Sequence, residues 1–472
     1  MHTEIRDPVV SHTPPPPSQP ASLKPLYVGC ATGFSGDRTD GAGPVVDTLI
    51  ALGGGVLNFE TLAERTLALA QVEKRKNPAL GYEPLLDDLV GPVLKRCLDH
   101  NIQIVSNFGA ANPQACAQRI FALARAQGLR TPRIAVVHGD DLTKPEQLTF
   151  LLKRLGSDID PKRVVSANAY LGAGEIAQAL KEGADIVVTG RVSDPSLTLG
   201  PAIAHFGWSM QDWHLMGCGT MAGHMLECGT QVTGGYYSVP GQKSVPGMDC
   251  IGFPIAEIRA DGTFSVFKAP DTGGRVDDRT GREQILYEVH DPARYLTPDV
   301  VADITQATIT REGQDRILVQ GITGHQRPDE LKVNVCYDNG YFAEAEISYA
   351  GFQAKERAAL AGETIRKRIG HLLPLRVDLI GALSIFGDDA GELMTQGYAG
   401  ESRDVRLRVA GVHLQKEIAE KILREVTALY CCGPAGGGGV RTSLRPRLDT
   451  LSCTIPREAV PSGFSFVQEQ RA

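Results

Sequence analysis

This sequence predicts an α/β fold: a parallel sheet covered by helices in the N-terminal half, then an α+β region with mixed or antiparallel strands. Three observations carry that prediction. Short apolar runs alternate with helical patterns from residue 25 to about 230. The runs are apolar nearly throughout, as strands buried on both faces are. After about residue 250 the rhythm changes to turn-linked strand pairs followed by late helices.

Taken in order, the first-half strands are "PLYVG" (25–29), "VLNF" (56–59), "IQIVS" (102–106), "RIAVV" (133–137), "RVVSA" (163–167) and "ADIVVTG" (184–190). Helices fall between them, as in "PQACAQRIFALARAQG" (113–128) and "GEIAQALKEG" (174–183). Next, "FPIAEIRADGTFSVFKA" (253–269) predicts a hairpin turning at Asp261-Gly262. "LKVNVCYDNGYFAEAEISYAG" (331–351) predicts a second hairpin, turning at Asn339-Gly340. A helix at about 353–370 follows, then strands at 375–386 and 403–412 and a helix at 414–429. The expected organisation is a disordered proline-rich arm at 1–24, an α/β domain at 25–245 and an α+β domain at 246–472.

Composition narrows the class. With 472 residues, 42% hydrophobic and 22% charged, the chain can bury a large core without staples. A net charge of −7 without a basic run gives no footprint for nucleic acid. No stretch of about 18 apolar residues is present, so no membrane span is expected. The N-terminus lacks the apolar region of a secretory signal. Ten scattered cysteines without a C-x-x-C pair then suit a reduced, cytoplasmic setting.

In an open α/β sheet, ligands bind beyond the carboxyl ends of the strands. The residues just after the predicted strands are Cys30 to Arg38, Glu60, Asn107, then His138, Asp140 and Asp141, then Asn168 and Tyr170, then Arg191, Ser193 and Asp194. Asp, Asn and Ser also cap helices, so any one of them has a purely structural reading. As a set they predict one polar crevice. The loop after the first strand, with Gly33, Ser35, Gly36, Asp37 and Arg38, suits an anionic group placed before a helix N-terminus.

Further along, "MGCGTMAGHMLECGTQVTGG" (216–235) places His224 and Glu227 three apart, on one helix face. "CCGPAGGGGVR" (431–441) offers Gly436, Gly437 and Gly438 for close backbone approach to a ligand, with Arg441 beside them. "GAGEIA" (172–177) has the form of a dinucleotide fingerprint, but it follows the fifth strand and Glu175 crowds the anion position. NADP is therefore not expected, and an NADP-linked oxidoreductase is the third reading. The cofactor is left open. A divalent metal held by His138, Asp140 and Asp141 is one option.

Five ordered motifs, "GFSGDR", "ANAYLGA", "GADIVVTGRVSDPSL", "AGHMLECGTQVTGG" and "GPAGGGGVR", resemble the acyclic terpene utilisation family over about residues 25–460. The resemblance implies a setting in which citronellol and geraniol are degraded through acyl-CoA intermediates. Longer members are similar over this region and carry a further small ferredoxin-like domain, which implies a small ferredoxin-like partner subunit here. The leading expectation is a cytoplasmic lyase or hydratase acting on a small carboxylate or CoA ester. Glu60, Asp194, His224 and Glu227 would move protons. Gly33, Ser35, Gly36, Asp37, Arg38, Asn107, Asn168, Arg191, Ser193, Gly436, Gly437, Gly438 and Arg441 would hold the substrate. The alternative is a non-catalytic subunit or scaffold of a multi-enzyme complex. A homo-oligomer is the base-rate expectation.

Overall fold

The computed structural model describes residues 23–156, 159–384, 387–388, 392 and 402–470. The proline-rich arm, apart from residues 23 and 24, lies outside the described residues, as do residues 385–386 of the run at 375–386. The first half runs β1 (Leu26–Cys30), α1 (Ala42–Ala51), β2 (Val56–Phe59), α2 (Glu64–Lys76), α3 (Leu86–Asp99), β3 (Gln103–Ser106), α4 (Pro113–Ala126), β4 (Ile134–His138), α5 (Pro145–Leu155), β5 (Val164–Ala169), α6 (Gly174–Lys181), β6 (Ile186–Val188), α7 (Ser196–Phe206) and α8 (Trp213–Glu227). The second half adds β7 (Pro254–Ile258), β8 (Phe264–Lys268), α9 (Asp278–Leu286), β9 (Tyr295–Leu296), β10 (Val301–Asp303), β11 (Thr308–Gly313), β12 (Arg316–Gln320), β13 (Thr323–His325), β14 (Glu330–Ala350), α10 (Ala354–Ile369), β15 (Leu375–Ile380), β16 (Asp404–His413), α11 (Lys416–Cys432), β17 (Gly438–Pro456) and β18 (Gly463–Phe466).

The principal sheet has the order β11-β12-β8-β7-β1-β2-β3-β6-β4-β18. Its centre, from β1 to β4, is parallel, and antiparallel strands extend both flanks. One core lies on the face covered by α1, α3 and α4. The other lies on the face covered by α6, α7 and α8. The α/β class read from alternating apolar runs is therefore the class observed. The hairpin at Asp261-Gly262 forms, with Gly262 at φ +86, and its first strand pairs with β1.

Two predicted elements are placed differently. The run "RVVSA" forms β5, but β5 leaves the parallel sheet and pairs antiparallel with β14. The predicted turn at Asn339-Gly340 is not a turn. β14 continues through it, pairing with β17 on both sides, and the register shifts by one residue between Asp338 and Tyr341. Gly340, at φ +83, serves a bulge here instead of a reversal. The bulge is held from outside: Arg163 donates to the Asp338 carbonyl at 2.7 Å, and the Asn339 amide donates to Asp449 at 2.6 Å. β14 consequently carries β17 along one edge, with β5 and then β16 along the other.

Beneath α3 and α4, Phe59 and Phe108 are fully buried with ring centroids 4.9 Å apart. Phe59 ends β2 one residue before Glu60, so its packing anchors the strand end that carries Glu60. Phe59→Ala should lower unfolding free energy by about 3–5 kcal/mol in urea titrations. A loss under about 1 kcal/mol would mean that this core is not packed as described.

Candidate active site

The parallel strands deliver their following residues to one edge, as strand polarity requires. Glu60 follows β2 and Asn107 follows β3. The Asn107 amide donates to Glu60 Oε1 at 2.8 Å, and the Leu62 backbone N–H donates to the same oxygen at 2.8 Å. Asn107 Oδ1 accepts in turn from the Thr61 N–H at 2.8 Å. Both of these neighbours therefore bind Glu60 through Oε1.

Arg191, just after β6, is 1% exposed. A buried guanidinium must have its donors met. Its Nε donates to the Val192 carbonyl at 2.9 Å, and its terminal nitrogens donate to the Leu62 carbonyl and to Asp194. Its own backbone N–H donates to Asp140 Oδ2 at 2.9 Å, which also accepts from Asn168 at 2.8 Å. The Tyr170 ring lies 4.6 Å from the guanidinium carbon, and the Lys332 ammonium lies 4.6 Å from the same ring. Arg191 and Asn168, read from sequence as substrate ligands, are thus placed as a framework that aims Asp194.

Helix α8 supplies the other half. It starts at Asp212, whose side chain accepts from the Leu215 N–H at 3.1 Å. At Gly223, a Cβ would sit 2.5 Å from the Pro195 carbonyl oxygen, so only glycine lets α8 lie against the turn that carries Asp194. His224 and Glu227 follow on one face, with Nδ1 to Oε1 at 2.9 Å. His224 Nε2 lies 2.9 Å from the Gln284 carbonyl. A carbonyl only accepts, so Nε2 carries hydrogen. The contact between Nδ1 and Glu227 must then hold one shared proton, written either as imidazolium with carboxylate or as imidazole with carboxylic acid.

Cys30, Asn58, Glu60, Asp194, Thr198 and Glu227 line one small cavity between these elements. Burial, reinforced by the charge of Asp194, pushes the Glu60 carboxyl up to about 8. Burial likewise pushes Glu227 up to about 7. Burial alone would lower His224, but Glu227 outweighs it and holds the imidazole above its ordinary value. Burial also raises Asp194, against the Arg191 charge. The Asp194 side chain is 35% exposed and is the member of the set that meets solvent. The Cys30 thiol, pushed up to about 12 by burial, is an inert wall.

The remaining sequence candidates sort clearly. The opening loop packs beside the site: a Cβ on Gly33 would lie 2.5 Å from the Cys228 carbonyl carbon. Its donors turn inward, since Asp37 accepts from the N–H groups of Gly33 at 2.8 Å and Arg38 at 2.7 Å. Arg38 pairs with Asp40 at 2.8 Å, Ser35 lies beside Glu83, and Gly36 is exposed. Ser193 is a turn residue whose N–H donates to the Leu171 carbonyl at 2.9 Å. Gly436 and Gly437 precede β17 and Gly438 begins it, while Arg441 stands opposite Glu346 in the second sheet. The structure does not bring these four to the cavity.

The other ligand options find their places taken. Asp299 fills the anion position of "GAGEIA", with both carboxylate oxygens 3.0 Å from the Ala173 N–H. Asp140 is committed to Arg191 and Asn168, and Asp141 to Thr143. Among the described residues, no group of three or more His, Cys, Asp or Glu side chains is arranged to hold a metal ion. Sequence reasoning passed over Asn58, Thr198 and Gln284. For Asn58 a signal existed, since an amide inside the apolar run "VLNF" has to be bonded or to face a ligand.

Unfolded, Glu60 releases its proton near 4.5; folded, near 8. The folded state therefore holds an extra proton between these values, and stability falls as pH rises through that window. Glu60→Gln removes this dependence. Urea unfolding between pH 5 and 9 should show wild type losing stability relative to the variant as pH rises; parallel curves would contradict the buried, protonated carboxyl.

The family model described as "Acyclic terpene utilisation family protein AtuA" matches residues 26–466. No curated protein and no solved structure matches the chain significantly. Among the described residues no helix is long and apolar enough to cross a membrane. The chain belongs to the acyclic terpene utilisation family, and that membership suggests a role in acyclic terpene utilisation.

Proposed function

From membership of that family, we propose that the chain is a catabolic acid–base enzyme of lyase or hydratase type. Its substrate would be a small carboxylate or an acyl-CoA thioester. The observation that supports this reading is the cavity where Glu60, Asp194 and Glu227 meet beside His224. Removing water from a 3-hydroxyacyl group needs a base for the α-proton and an acid for the departing hydroxyl. Asp194, paired with Arg191 and reaching solvent, is the base. Glu60, which keeps its proton to about pH 8, is the acid.

The balance closes. The α-carbon–hydrogen bond breaks towards Asp194, the carbon–oxygen bond breaks, and the Glu60 proton leaves with the hydroxyl as water. Transfer from Asp194 back to Glu60 restores the resting state, and hydration is the same path reversed. The buried His224–Glu227 pair holds its one proton alongside.

Purified protein should be assayed with crotonyl-CoA, 3-methylcrotonyl-CoA, their 3-hydroxy counterparts and the free acids, following the enoyl absorbance. Turnover is expected. Glu60→Gln and Asp194→Asn should each lower it about 10²–10⁴-fold. Dehydration should fall as pH rises past about 8, where Glu60 loses the proton it must donate. Inactivity on the whole panel, or variants as active as wild type, would overturn this assignment.

A further inference from the structure

The cavity beside Glu60 is lined by two residues with acceptors that no described residue satisfies. Asn58 Oδ1 and Glu227 Oε2 are buried without a hydrogen-bond partner among the described residues. Asn58 is 2% exposed and the Glu227 side chain 10%. Both residues line the cavity. An orphaned buried acceptor costs roughly 1–3 kcal/mol, so two on residues that line one space call for a donor there. The Asn58 amide is aimed from behind, because its Nδ2 donates to Thr198 Oγ1 at 2.9 Å and turns Oδ1 the other way.

The size and polarity of the space select the donor. It offers about 10 Å³ to the centre of a water molecule, and one ordered water needs about that much with two to four polar partners. Glu60, whose Oε1 is taken by Leu62 and Asn107, has Oε2 to offer as an O–H donor. One molecule that accepts once and donates twice satisfies all three groups. Water does so; a hard cation would want ionised oxygen ligands from each.

We propose that this cavity is the binding site of the reacting water, held by donation to Asn58 Oδ1 and Glu227 Oε2 and by acceptance from Glu60. Asn58 becomes a catalytic residue that touches the departing or attacking water, and Thr198 a positioning residue that fixes the amide. The inference deepens the hydratase reading and rests on it. In dehydration the hydroxyl takes the Glu60 proton and comes to rest between the two acceptors. In hydration the resting Glu60 proton first passes to Asp194. The water then turns one hydrogen from Glu227 Oε2 to the ionised Glu60, which removes it as the water oxygen bonds the β-carbon, and Asp194 returns its proton to the α-carbon.

Two experiments decide it. A high-resolution crystal structure of the wild-type protein should show a water within hydrogen-bonding distance of Asn58 Oδ1 and Glu227 Oε2. A site without it, or an ion with oxygen ligands at about 2.0–2.6 Å, would overturn the proposal. Kinetics with crotonyl-CoA form the second arm. Asn58→Leu, which fills the space with methyl groups, should lower kcat about a hundredfold with KM little changed. Thr198→Val keeps the shape but frees the amide to turn, and should lower kcat about tenfold. Equal kcat in both variants and wild type would overturn the proposal even with a water in place. If the wild-type protein hydrates none of the thioesters, the hydratase reading fails, and diffraction alone then tells whether the cavity is a water site.

Discussion

Satisfying one buried guanidinium organises this half of the molecule. Arg191 cannot lie 1% exposed unless its donors are met, and the partners come from two segments: the Leu62 carbonyl after β2, and the Val192 carbonyl and Asp194 in its own turn between β6 and α7. Asp140, after β4, takes the backbone N–H on Oδ2, and Asn168 of β5 donates to the same oxygen. Leu62, Asp140 and Asn168, which sequence order keeps apart, are thereby tied to the one turn that carries Arg191 and Asp194. Removing one member of such a buried set leaves several groups unpaired at once, a loss of about 3–5 kcal/mol.

The same arrangement explains how acids of one kind take different roles. Glu60, Glu64 and Asp194 surround Arg191, but their settings differ. Burial pushes Glu60 up to about 8. Burial would raise Glu64 too, but the Tyr170 hydroxyl, Lys332 and Arg191 outweigh it and hold that carboxyl down at about 2. A carboxyl that keeps its proton and one that has lost it therefore stand beside the same guanidinium, set apart by burial, hydrogen bonding and nearby charge.

Much of this was legible in the sequence. Strand polarity alone places Glu60, Asn107, Asp140 and Arg191 at one edge, and helical spacing pairs His224 with Glu227. What escaped depends on pairings that no local pattern encodes. "RVVSA" carries an ordinary strand signal, yet its partner lies 170 residues later in β14. Asn339-Gly340 has the chemistry of a turn, and only the continuous pairing with β17 makes it a bulge. The glycines at 436–438 looked like a ligand loop because entropy alone makes such a run costly, but here they lead into a strand. Whether Arg38 is free or paired with Asp40 likewise depends on geometry two residues away, which composition does not reveal.

The pairing of β18 with β4 bears on how the chain comes off the ribosome. Gly463 to Phe466 close the flank of a sheet whose adjoining strand spans Ile134–His138. On the opposite side, β1 waits for β7. During vectorial synthesis both borders of the parallel centre thus stay unpaired until much later segments emerge, and a bare strand border invites association with other nascent chains. Cooperative closure must come late, and cellular yield should depend on chaperone capacity during translation more than on the strength of the finished core.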